Sequence, residues 1–547
     1  MATDFSKKSF LIVETLFDMR KTIRGMLQTS LAEDIDEARD GDDALNRMKS
    51  RRYDIIICEY NLGDGKNGQQ VLEEAKLLNL VNHHTIFVII TTESSIETVI
   101  GVIEHVPDDY LAKPFTKDTL QQRLGRLIKK KALMKDIDIA IKRKEFDQAI
   151  QLCDAQIEET PPNKLNLMRI KTDIYLDEND FENAEMTARE ALAITPELAW
   201  AGMAIGKAKF LTGDLVSARE IFTNIITYNR MFMGAYDWLY KIEMANNDEK
   251  AAQEILMKAV SVSPNSLIRQ RVLGQLALKN NDFDTAQTAF WSAIRQGSHS
   301  LFKGTNEYLG FAKSLMERDK QPDALKALER VSRTFSDDPG AKCDASLMKA
   351  DVYHKMDLPD MRLSSVKEAD GYAGETNARD QNRTHIALAK AWLELGEKER
   401  GMEIVSSLIK NNHDDDDTIS ELENIMKENG MGSEVDSVIN SVRKKLVDLN
   451  NQGVRMVKAG KYDEAIELFI KAVENAPRNK TINLNAAQAL IMAMQNGDIN
   501  NDQLSQANNY LEAVRELDMK DKRLLSLNGQ FLELRKEVAP PAESADA

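Results

Sequence analysis

The sequence predicts an α/β domain with a five-stranded parallel sheet, followed by an all-α array of repeated helix pairs. Over residues 10–131, short runs of apolar residues alternate with amphipathic stretches, which indicates strands alternating with helices. Beyond residue 136, small and bulky residues recur with a period typical of a helical repeat. Glycine and proline are scarce, at 26 and 12 of 547 residues, and this composition favours helices.

Five strands and five helices follow from the N-terminal pattern. The apolar runs are continuous, which indicates strands buried on both faces, as in a parallel sheet covered by helices on either side. The predicted strands span 10–13, 35–38, 55–58, 86–90 and 109–112. The predicted helices span 18–30, 42–49, 68–78, 95–104 and 116–131.

Ligands of parallel sheets bind where the strands end, so the residues that follow each strand are candidates for a site. Glu14 and Thr15 follow the first strand, and Glu59 follows the third. Thr91 follows the fourth strand and Lys113 the fifth. We therefore expect carboxylates, hydroxyls and one lysine to converge on one edge of the sheet.

The glycines at 63, 65 and 68 have the spacing of the dinucleotide-binding fingerprint, in which a helix N-terminus faces a pyrophosphate. That fingerprint belongs after the first strand of a domain, with an acidic residue at the end of the next strand. Here an earlier strand opens the domain, and the strand that follows the glycines carries no acid before Glu93. We therefore interpret the segment as a loop with glycines at its turns.

Four segments, taken together, resemble the receiver domain of two-component response regulators across residues 8–128. They are "FLIVET" with Arg20, "YDIIICEYNLGDGKNG", "FVIITTES" and "DDYLAKPFT", in that family's order and spacing. The resemblance implies the flavodoxin-like (CheY-like) fold and a switch driven by an aspartyl phosphate. In that switch an acidic pair holds Mg²⁺, an aspartate takes the phosphoryl group, a threonine and a lysine bind its oxygens, and an aromatic residue changes rotamer.

Carried over residue by residue, the resemblance assigns the switch hydroxyl to Thr91, the switch aromatic to Tyr110 and the phosphate-binding lysine to Lys113. Pro114 would follow a cis peptide bond, as in the family. The phosphoacceptor position departs from the family, since it holds Glu59 instead of aspartate.

The acidic pair also departs, because Glu14 is followed by Thr15; together with Asn61 these residues form the candidate metal site. Thr15 supplies a neutral hydroxyl where a carboxylate belongs, so we expect a weak or absent Mg²⁺ site and no other cofactor. Phosphoryl transfer depends on positioning, and the extra methylene of Glu59 moves its carboxylate toward the phosphoryl site. Both departures are expected to impair phosphorylation.

Three interpretations of Glu59 remain open from the sequence. Its carboxylate extends toward Lys113 and Thr91 and imitates a phosphoryl group. Alternatively, it pairs with Lys113 in an inert pocket. In the third interpretation, Glu59 is itself phosphorylated.

A spacing of small, bulky and small residues, often followed by proline, recurs through the rest of the chain. Its first positions fall at intervals of 35, 34, 34 and 34 residues, at Ala149, Ala184, Ala218, Ala252 and Ala286. This pattern resembles the tetratricopeptide repeat, a pair of antiparallel helices. Gly206 and Gly274 are expected where helices cross closely. The resemblance implies that the concave face of the array holds a partner protein.

These patterns predict the following division of the chain. Residues 1–128 form the receiver domain, 129–145 a helical linker, 136–300 the regular repeats, 301–447 irregular repeats, 448–535 a C-terminal repeat with further helices, and 536–547 a disordered tail. Segment 412–447 interrupts the period, so we expect the array to bend or divide there.

The connection between the domains contains no Gly/Ser-rich linker, and the stretch from Thr116 to Gln148 has hardly any helix breaker. We expect this helix to pass a change in the receiver rigidly to the repeats. Proline at Met134 should then uncouple the domains while both stay folded.

Composition narrows the function. The net charge of -16 argues against a nucleic-acid surface, and no apolar run is long enough for a membrane span. We predict a cytoplasmic, non-enzymatic, response-regulator-like protein of a phosphorelay that acts through protein binding. The expected partners are a sensor histidine kinase or phosphotransfer domain, and a second protein on the concave face of the repeats. The alternatives are a phosphorylatable Mg²⁺-dependent switch, and a scaffold or co-chaperone with an inert receiver.

Overall fold

The computed structural model describes residues 4–82, 84–92, 107–159, 163–376 and 378–538. The chain divides into two compact units, Met1–Arg318 and Asp319–Ala547. The first unit contains the α/β domain and the first helix pairs, and the second contains further helices. The structure confirms the predicted fold class.

The α/β domain is built on a parallel sheet whose strands lie where the apolar runs predict them. The strands are β1 (Phe10–Val13), β2 (Ile35–Ala38), β3 (Ile55–Glu59), β4 (Ile86–Thr91) and β5 (Asp109–Ala112). They pair in the order β2-β1-β3-β4-β5, and every pairing is parallel.

The sheet is buried on both faces because alternate side chains of its apolar runs point in opposite directions. Phe10 and Ile12 belong to one core cluster, and Leu11 and Val13 to another. Helices cover both sides: α1 (Phe17–Gln28), α2 (Gly41–Ser50), α3 (Gly68–Leu77) and α4 (Lys117–Lys142). The helix predicted at 95–104 lies outside the described residues.

The rest of the first unit is a series of helices of similar length. They are α5 (Phe146–Glu159), α6 (Lys164–Asp177), α7 (Phe181–Ile194), α8 (Ala199–Leu211), α9 (Leu215–Tyr228), α10 (Met233–Ala245), α11 (Glu249–Val262), α12 (Leu267–Lys279), α13 (Phe283–Gln296) and α14 (Thr305–Glu317). Within each pair, the second helix carries the alanine that marks the repeat in the sequence.

The expectation of one helix from Thr116 to Gln148 is wrong in its length. Helix α4 ends at Lys142, and Lys144 has a left-handed backbone conformation with a φ of 61° before α5 begins. The second half of α4 acts as the first helix of the first repeat, since Met134 is 6 % exposed and packs with Ile137. Proline at Met134 would therefore disrupt a repeat core, so it is not a clean way to uncouple the domains.

Close crossings between helices occur at the predicted glycines. A Cβ atom added at Gly206 would lie 2.5 Å from a ring carbon of Phe222, and one at Gly274 would lie 2.9 Å from the ring of Phe290. Both phenylalanines are buried. The aromatic ring thus occupies the space that a side chain at the glycine would need. This complementarity explains why both residues recur with the period.

Aspartates begin the second helices of four repeats, a feature that the sequence analysis missed. Each side chain accepts a hydrogen bond from the backbone N–H three residues later, at Asp180, Asp214, Asp248 and Asp282. These positions are 34 residues apart. The residue before each one has a positive φ, at Asn179, Gly213, Asn247 and Asn281. A turn residue followed by an N-cap therefore ends one helix and starts the next.

The second unit consists of longer and less regular helices. They are α15 (Gln321–Thr334), α16 (Pro339–Lys355), α17 (Pro359–Ala373), α18 (Ala378–Glu394), α19 (Lys398–Asn411), α20 (Asp416–Glu428), α21 (Gly432–Lys458), α22 (Tyr462–Asn475), α23 (Lys480–Asn496), α24 (Asn501–Leu517) and α25 (Lys522–Val538). Helix α25 includes residues 536–538, which the sequence analysis placed in a disordered tail; residues 539–547 lie outside the described part.

The chain divides into its two units at 318/319, whereas the interrupted period predicted a bend or a division within segment 412–447. That segment is held in place by polar contacts. Asp414 accepts hydrogen bonds from Asn479 Nδ2 at 2.7 Å and Thr481 Oγ1 at 2.6 Å. The acidic run Asp414–Asp417 itself stays exposed, whereas Ile419 and Leu422 in the helix that follows are buried in the core of the second unit.

Among the described residues, no helix combines the length and the apolar content that crossing a bilayer requires.

Candidate functional site

The pairing of the strands brings the sequence-predicted charged residues together. Val13 of β1 lies opposite Cys58 of β3, so Glu14 and Glu59, one residue further on, leave the sheet side by side. Strands β4 and β5 end together in the same way, and the backbone N–H of Lys113 donates to the carbonyl oxygen of Thr91 at 2.8 Å. The carboxyl edge of the sheet thus holds an acidic pocket, which we define as Glu14, Glu59 and Lys113.

Lys113 lies between the two carboxylates of this pocket. Its Nζ atom is 2.6 Å from Glu14 Oε2 and also donates to Glu59 Oε2. The side chains are nearly inaccessible, with 7 % of Lys113, 2 % of Glu14 and 6 % of Glu59 exposed. Buried charges are tolerated only when they are paired, and here one ammonium serves two carboxylates.

The remaining carboxylate oxygens are bound by the backbone. Glu14 Oε1 accepts a hydrogen bond from the N–H of Leu16, and Glu59 Oε1 accepts one from the N–H of Asn61, each at 3.1 Å. All four carboxylate oxygens therefore have a partner supplied by the protein. Both glutamates are held in one orientation as a result.

The protonation of Lys113 follows from these contacts. Burial by itself disfavours the charged ammonium, but the hydrogen bonds and ion pairs with Glu14 and Glu59 outweigh it and raise the pKa of Lys113 above its usual value. Lysine is charged at neutral pH even without such a shift. The pocket therefore keeps its cation throughout the physiological range.

Arg20 binds the backbone beside the pocket, a role that the sequence analysis did not assign. It is 6 % exposed, donates to the carbonyl oxygens of Glu14 and Thr15, the latter at 2.9 Å, and lies 3.3 Å from the carboxylate of Glu37. A buried arginine on the first helix fixes the turn that follows β1. The signal in the sequence was a charged residue on the otherwise apolar face of α1.

Mg²⁺ does not fit the side chains as they are arranged here. The ion requires near-octahedral oxygen ligands, whereas the carboxylate oxygens of Glu14 and Glu59 are engaged by Lys113 and by backbone N–H groups. Thr15 is exposed, and the side-chain oxygen of Asn61 accepts from the N–H of Gly63 at 3.1 Å. Within the described residues, no group of three or more His, Cys, Asp or Glu side chains is arranged to hold a metal.

The predicted switch residues lie beside the pocket. Thr91 is fully buried at the end of β4. Tyr110 is half-buried and packs against the apolar cluster that contains Leu11 and Val13. The predicted cis peptide bond between Lys113 and Pro114 is confirmed.

The loop after β3 confirms the interpretation of its glycines as turn residues. Gly63 and Gly65 have φ values of 80° and 152°, which other residues rarely adopt. Gly68 begins α3 directly against the end of β3, because a Cβ atom there would lie 2.4 Å from the carbonyl oxygen of Glu59. The glycines thus allow the chain to fold back tightly on the residue at the phosphoacceptor position.

The first helices of the repeats carry an aromatic cluster that periodicity alone did not single out. Trp238 on α10 packs edge-on against Phe210 of α8, with ring centroids 5.1 Å apart. The ammonium of Lys241 lies 4.1 Å from the centre of its ring, and that of Lys207 lies 6.0 Å from it. A half-buried tryptophan thus lies between two lysine ammonium groups on the first helices of the repeats.

Comparison with known families identifies the first domain. Residues 10–125 match the family model described as response regulator receiver domain. The N-terminal domain is a receiver domain. Residues 451–494 match a family model described as tetratricopeptide repeat, and the chain therefore combines a receiver domain with tetratricopeptide repeats.

The receiver domain is similar to chemotaxis proteins. It is 27 % identical to chemotaxis protein CheY-3 of Vibrio cholerae over 120 residues, which cover 22 % of this chain and 91 % of that protein. It is 24 % identical to chemotaxis protein CheY of Pseudomonas aeruginosa over 120 residues, covering 22 % and 95 %.

Several solved structures are similar to portions of the chain. The receiver domain of BeF3-activated DrrB is 22 % identical, covers 22 % of this chain and 97 % of its own, and has a TM-score of 0.20. CheY4 of Vibrio cholerae is 25 % identical over 22 % of this chain and 98 % of its own, with a TM-score of 0.21. A tetratricopeptide repeat protein from Parabacteroides merdae is 13 % identical over 44 % and 92 %, with a TM-score of 0.27.

Proposed function

We propose that this protein is a phosphorelay signalling protein whose receiver works without phosphorylation and whose output is protein binding by its repeats. The observation that carries the proposal is the pairing of Lys113 with Glu59 and Glu14 in a buried pocket. The lysine that the family uses to bind a phosphoryl oxygen is already bound to a carboxylate of the chain itself.

The energetics of the pocket support this proposal. A phosphoryl group at residue 59 would need Lys113 and a metal to neutralise its charge. Lys113 is engaged, the residues expected to hold a metal do not fit it, and separating a buried ion pair is costly. The same contacts fix the acidic group of Glu59 beside Lys113, where the resemblance places a phosphoryl oxygen. The receiver would thus stay in one signalling state.

The proposed partners follow from the two domains. The receiver would dock on a sensor histidine kinase or phosphotransfer domain and compete there with a regulator that can be phosphorylated. The repeats would hold a second protein, with Trp238 and its neighbouring lysines as the proposed contact for an acidic segment. The protein would therefore act by binding, not by catalysis.

The test of the phosphorylation step uses the full chain with acetyl phosphate and Mg²⁺. We expect no base-labile phosphoryl adduct on the wild type, whereas Glu59→Asp combined with Thr15→Asp should form one. Glu33→Asp combined with Thr29→Asp makes the same chemical changes at exposed positions of the receiver and should stay unlabelled. Ready labelling of the wild type would contradict the proposal and support a phosphorylatable switch.

A second candidate function is a scaffold whose receiver is inert, and it is favoured by the same ion pair. The two candidates differ in whether the charge of Glu59 matters to partner binding. Glu59→Gln removes that charge with nearly the same shape and should change the affinity for a kinase partner by roughly 5 to 150-fold if the receiver signals. Glu33→Gln, on the exposed surface of the receiver, is the control. Equal affinities for all three chains would favour the scaffold.

A further inference from the structure

The receiver also contacts the repeats at a point outside helix α4. The side-chain amide of Gln70, in the first turn of α3, donates a hydrogen bond of 3.0 Å to the carbonyl oxygen of Gln296. Gln296 is the last residue of α13, where carbonyl groups have no partner within their own helix. The contact therefore satisfies a helix terminus of the fifth repeat with a side chain of the receiver.

A cleft of about 490 Å³ surrounds this hydrogen bond. Gln69 and Leu77 line it from the receiver, and Ile268 and Phe302 line it from the repeats. Gln69 is only 7 % exposed, whereas Leu77 and Ile268 are each 55 % exposed. The polar contact thus lies beside apolar side chains that remain accessible to solvent.

The side chain of Gln70 is fixed by a second role. Its Oε1 atom accepts a hydrogen bond from the backbone N–H of Asn67 at 3.1 Å, and the backbone N–H of Gln70 donates to Asn67 Oδ1 at 2.9 Å. These two bonds form a capping box at the start of α3. The N–H of Gly68, next to this cap, donates to the carbonyl oxygen of Tyr60 at 2.8 Å. The cap of α3 is therefore anchored to the backbone that immediately follows Glu59.

We propose that the cap of α3 is a latch that fastens the receiver to the end of α13 and transmits the state of the acidic pocket to the repeats. The route runs from Glu59 through Gly68 and Gln70 to Gln296, and it operates in addition to helix α4. The latch itself stands independently of the proposed function, whereas its response to Glu59 rests on that function.

The substitution Gln70→Glu removes the hydrogen bond to Gln296 but keeps the capping box of α3. Glutamate retains the oxygen that accepts from Asn67 and is itself a standard residue for a capping box. It lacks the amide donor, and it brings a negative charge to the carbonyl end of α13, which carries a partial negative charge of its own. Helix α3 should therefore stay intact while the latch opens.

The measurement is hydrogen–deuterium exchange of the full chain. We expect Gln70→Glu to speed exchange across residues 293–302 on the order of fivefold, in keeping with one lost hydrogen bond, while strands β1 and β3 keep wild-type protection. Gln156→Glu is the matched control, because Gln156 donates to the carbonyl oxygen of Leu133 at 2.7 Å, a contact of the same kind at another place. Exchange across 293–302 that stays unchanged in Gln70→Glu would overturn the latch.

The coupling is tested by adding Glu59→Gln to both backgrounds. If the latch carries the signal, Glu59→Gln alters exchange across residues 293–302 in the wild-type chain and has no such effect in Gln70→Glu. An effect of equal size in both chains would overturn the route through Gln70. Labelling of the wild type by acetyl phosphate would contradict only the proposed function, because the contact with Gln296 does not depend on phosphorylation.

Discussion

Gly206 in the repeats and Glu59 in the receiver differ in whether their surroundings can accommodate one additional carbon atom in the side chain. At Gly206 an added carbon would lie 2.5 Å from the ring of Phe222, which is fully buried. At residue 59 the chain already has one methylene more than the aspartate of the family, and the longer side chain reaches Lys113. The apolar packing around Gly206 has no space for a larger side chain, whereas the longer side chain of Glu59 forms an ion pair with Lys113.

The difference shows how each region preserves its fold. The repeats depend on complementary shapes, so their residues are restricted in size. The pocket depends on pairing of charge, so its residues can change length provided that the ion pairs persist. The charge pairs of the pocket therefore tolerate a longer side chain, while the close helix crossing has no space for a single added methyl group.

Removal of the pocket's cation should give the largest effect. Lys113→Met leaves two buried carboxylates facing each other, and we expect the free energy of unfolding of the receiver to fall by about 3–5 kcal/mol. Hydrogen exchange of residues 55–59 in the full chain measures this loss. Lys117→Met, at an exposed lysine of the same domain, is the control and should leave that exchange unchanged.

Acid should partly rescue this variant. In Lys113→Met, two buried carboxylates face each other without a cation, so the folded state disfavours their negative charge. The folded variant then binds more protons than the unfolded chain, so its stability rises as the pH is lowered from 7 to 5. A loss of stability that is the same at both pH values would contradict the explanation by unpaired charge.

An added methyl group in the repeats should have a smaller effect. Gly206→Ala places a Cβ against Phe222, and we expect a loss of about 1–3 kcal/mol from overpacking, measured by hydrogen exchange of α8 and α9. Phe222→Leu added to this variant should recover part of the loss. Gly529→Ala, where an added Cβ has no atom within 4 Å, is the control and should stabilise its helix by roughly 0.5–1 kcal/mol.

Loss of an N-cap in the repeats should have the smallest effect. Asp282 accepts hydrogen bonds from the N–H of Thr285 at 3.1 Å and from Gln253 at 2.7 Å, and Asp282→Ala should cost about 1 kcal/mol at pH 7. Burial disfavours the carboxylate, but the hydrogen bonds outweigh it and lower the pKa of Asp282. This stabilisation is present above the unfolded pKa of about 3.9 and is lost as the pH falls through the folded value. A difference between the two chains that does not shrink as the pH is lowered from 7 would contradict this explanation.

Much of the candidate site follows from the sequence because its residues stand at the ends of buried strands. Glu14, Glu59 and Lys113 were expected at one edge of the sheet, and parallel pairing brings them together. The roles of Arg20 and Gln70 did not follow from the sequence. Each acts through a backbone carbonyl group, and the location of that carbonyl depends on how the chain folds around it.

Where the helical array ends and divides was only partly predictable. The period of 34 residues located the close crossings at Gly206 and Gly274, since each repeat packs mainly on its neighbours. The break in the period at 412–447 suggested a bend or a division, whereas the chain divides at 318/319. The segment still packs because apolar residues such as Ile419 and Leu422 join the core, while Asp414 accepts hydrogen bonds from Asn479 and Thr481.

The five strands, the regular repeats and the set of charged residues at the sheet edge could be predicted from the amino-acid sequence alone. These features depend on the alternation and spacing of residues close together in the chain, which fix what each segment must bury. The sequence did not reveal that Lys113 binds both glutamates, that α4 ends at Lys142, or that Gln70 contacts Gln296. The last contact joins residues 226 positions apart in the chain, and no local pattern of residues marks such a pairing.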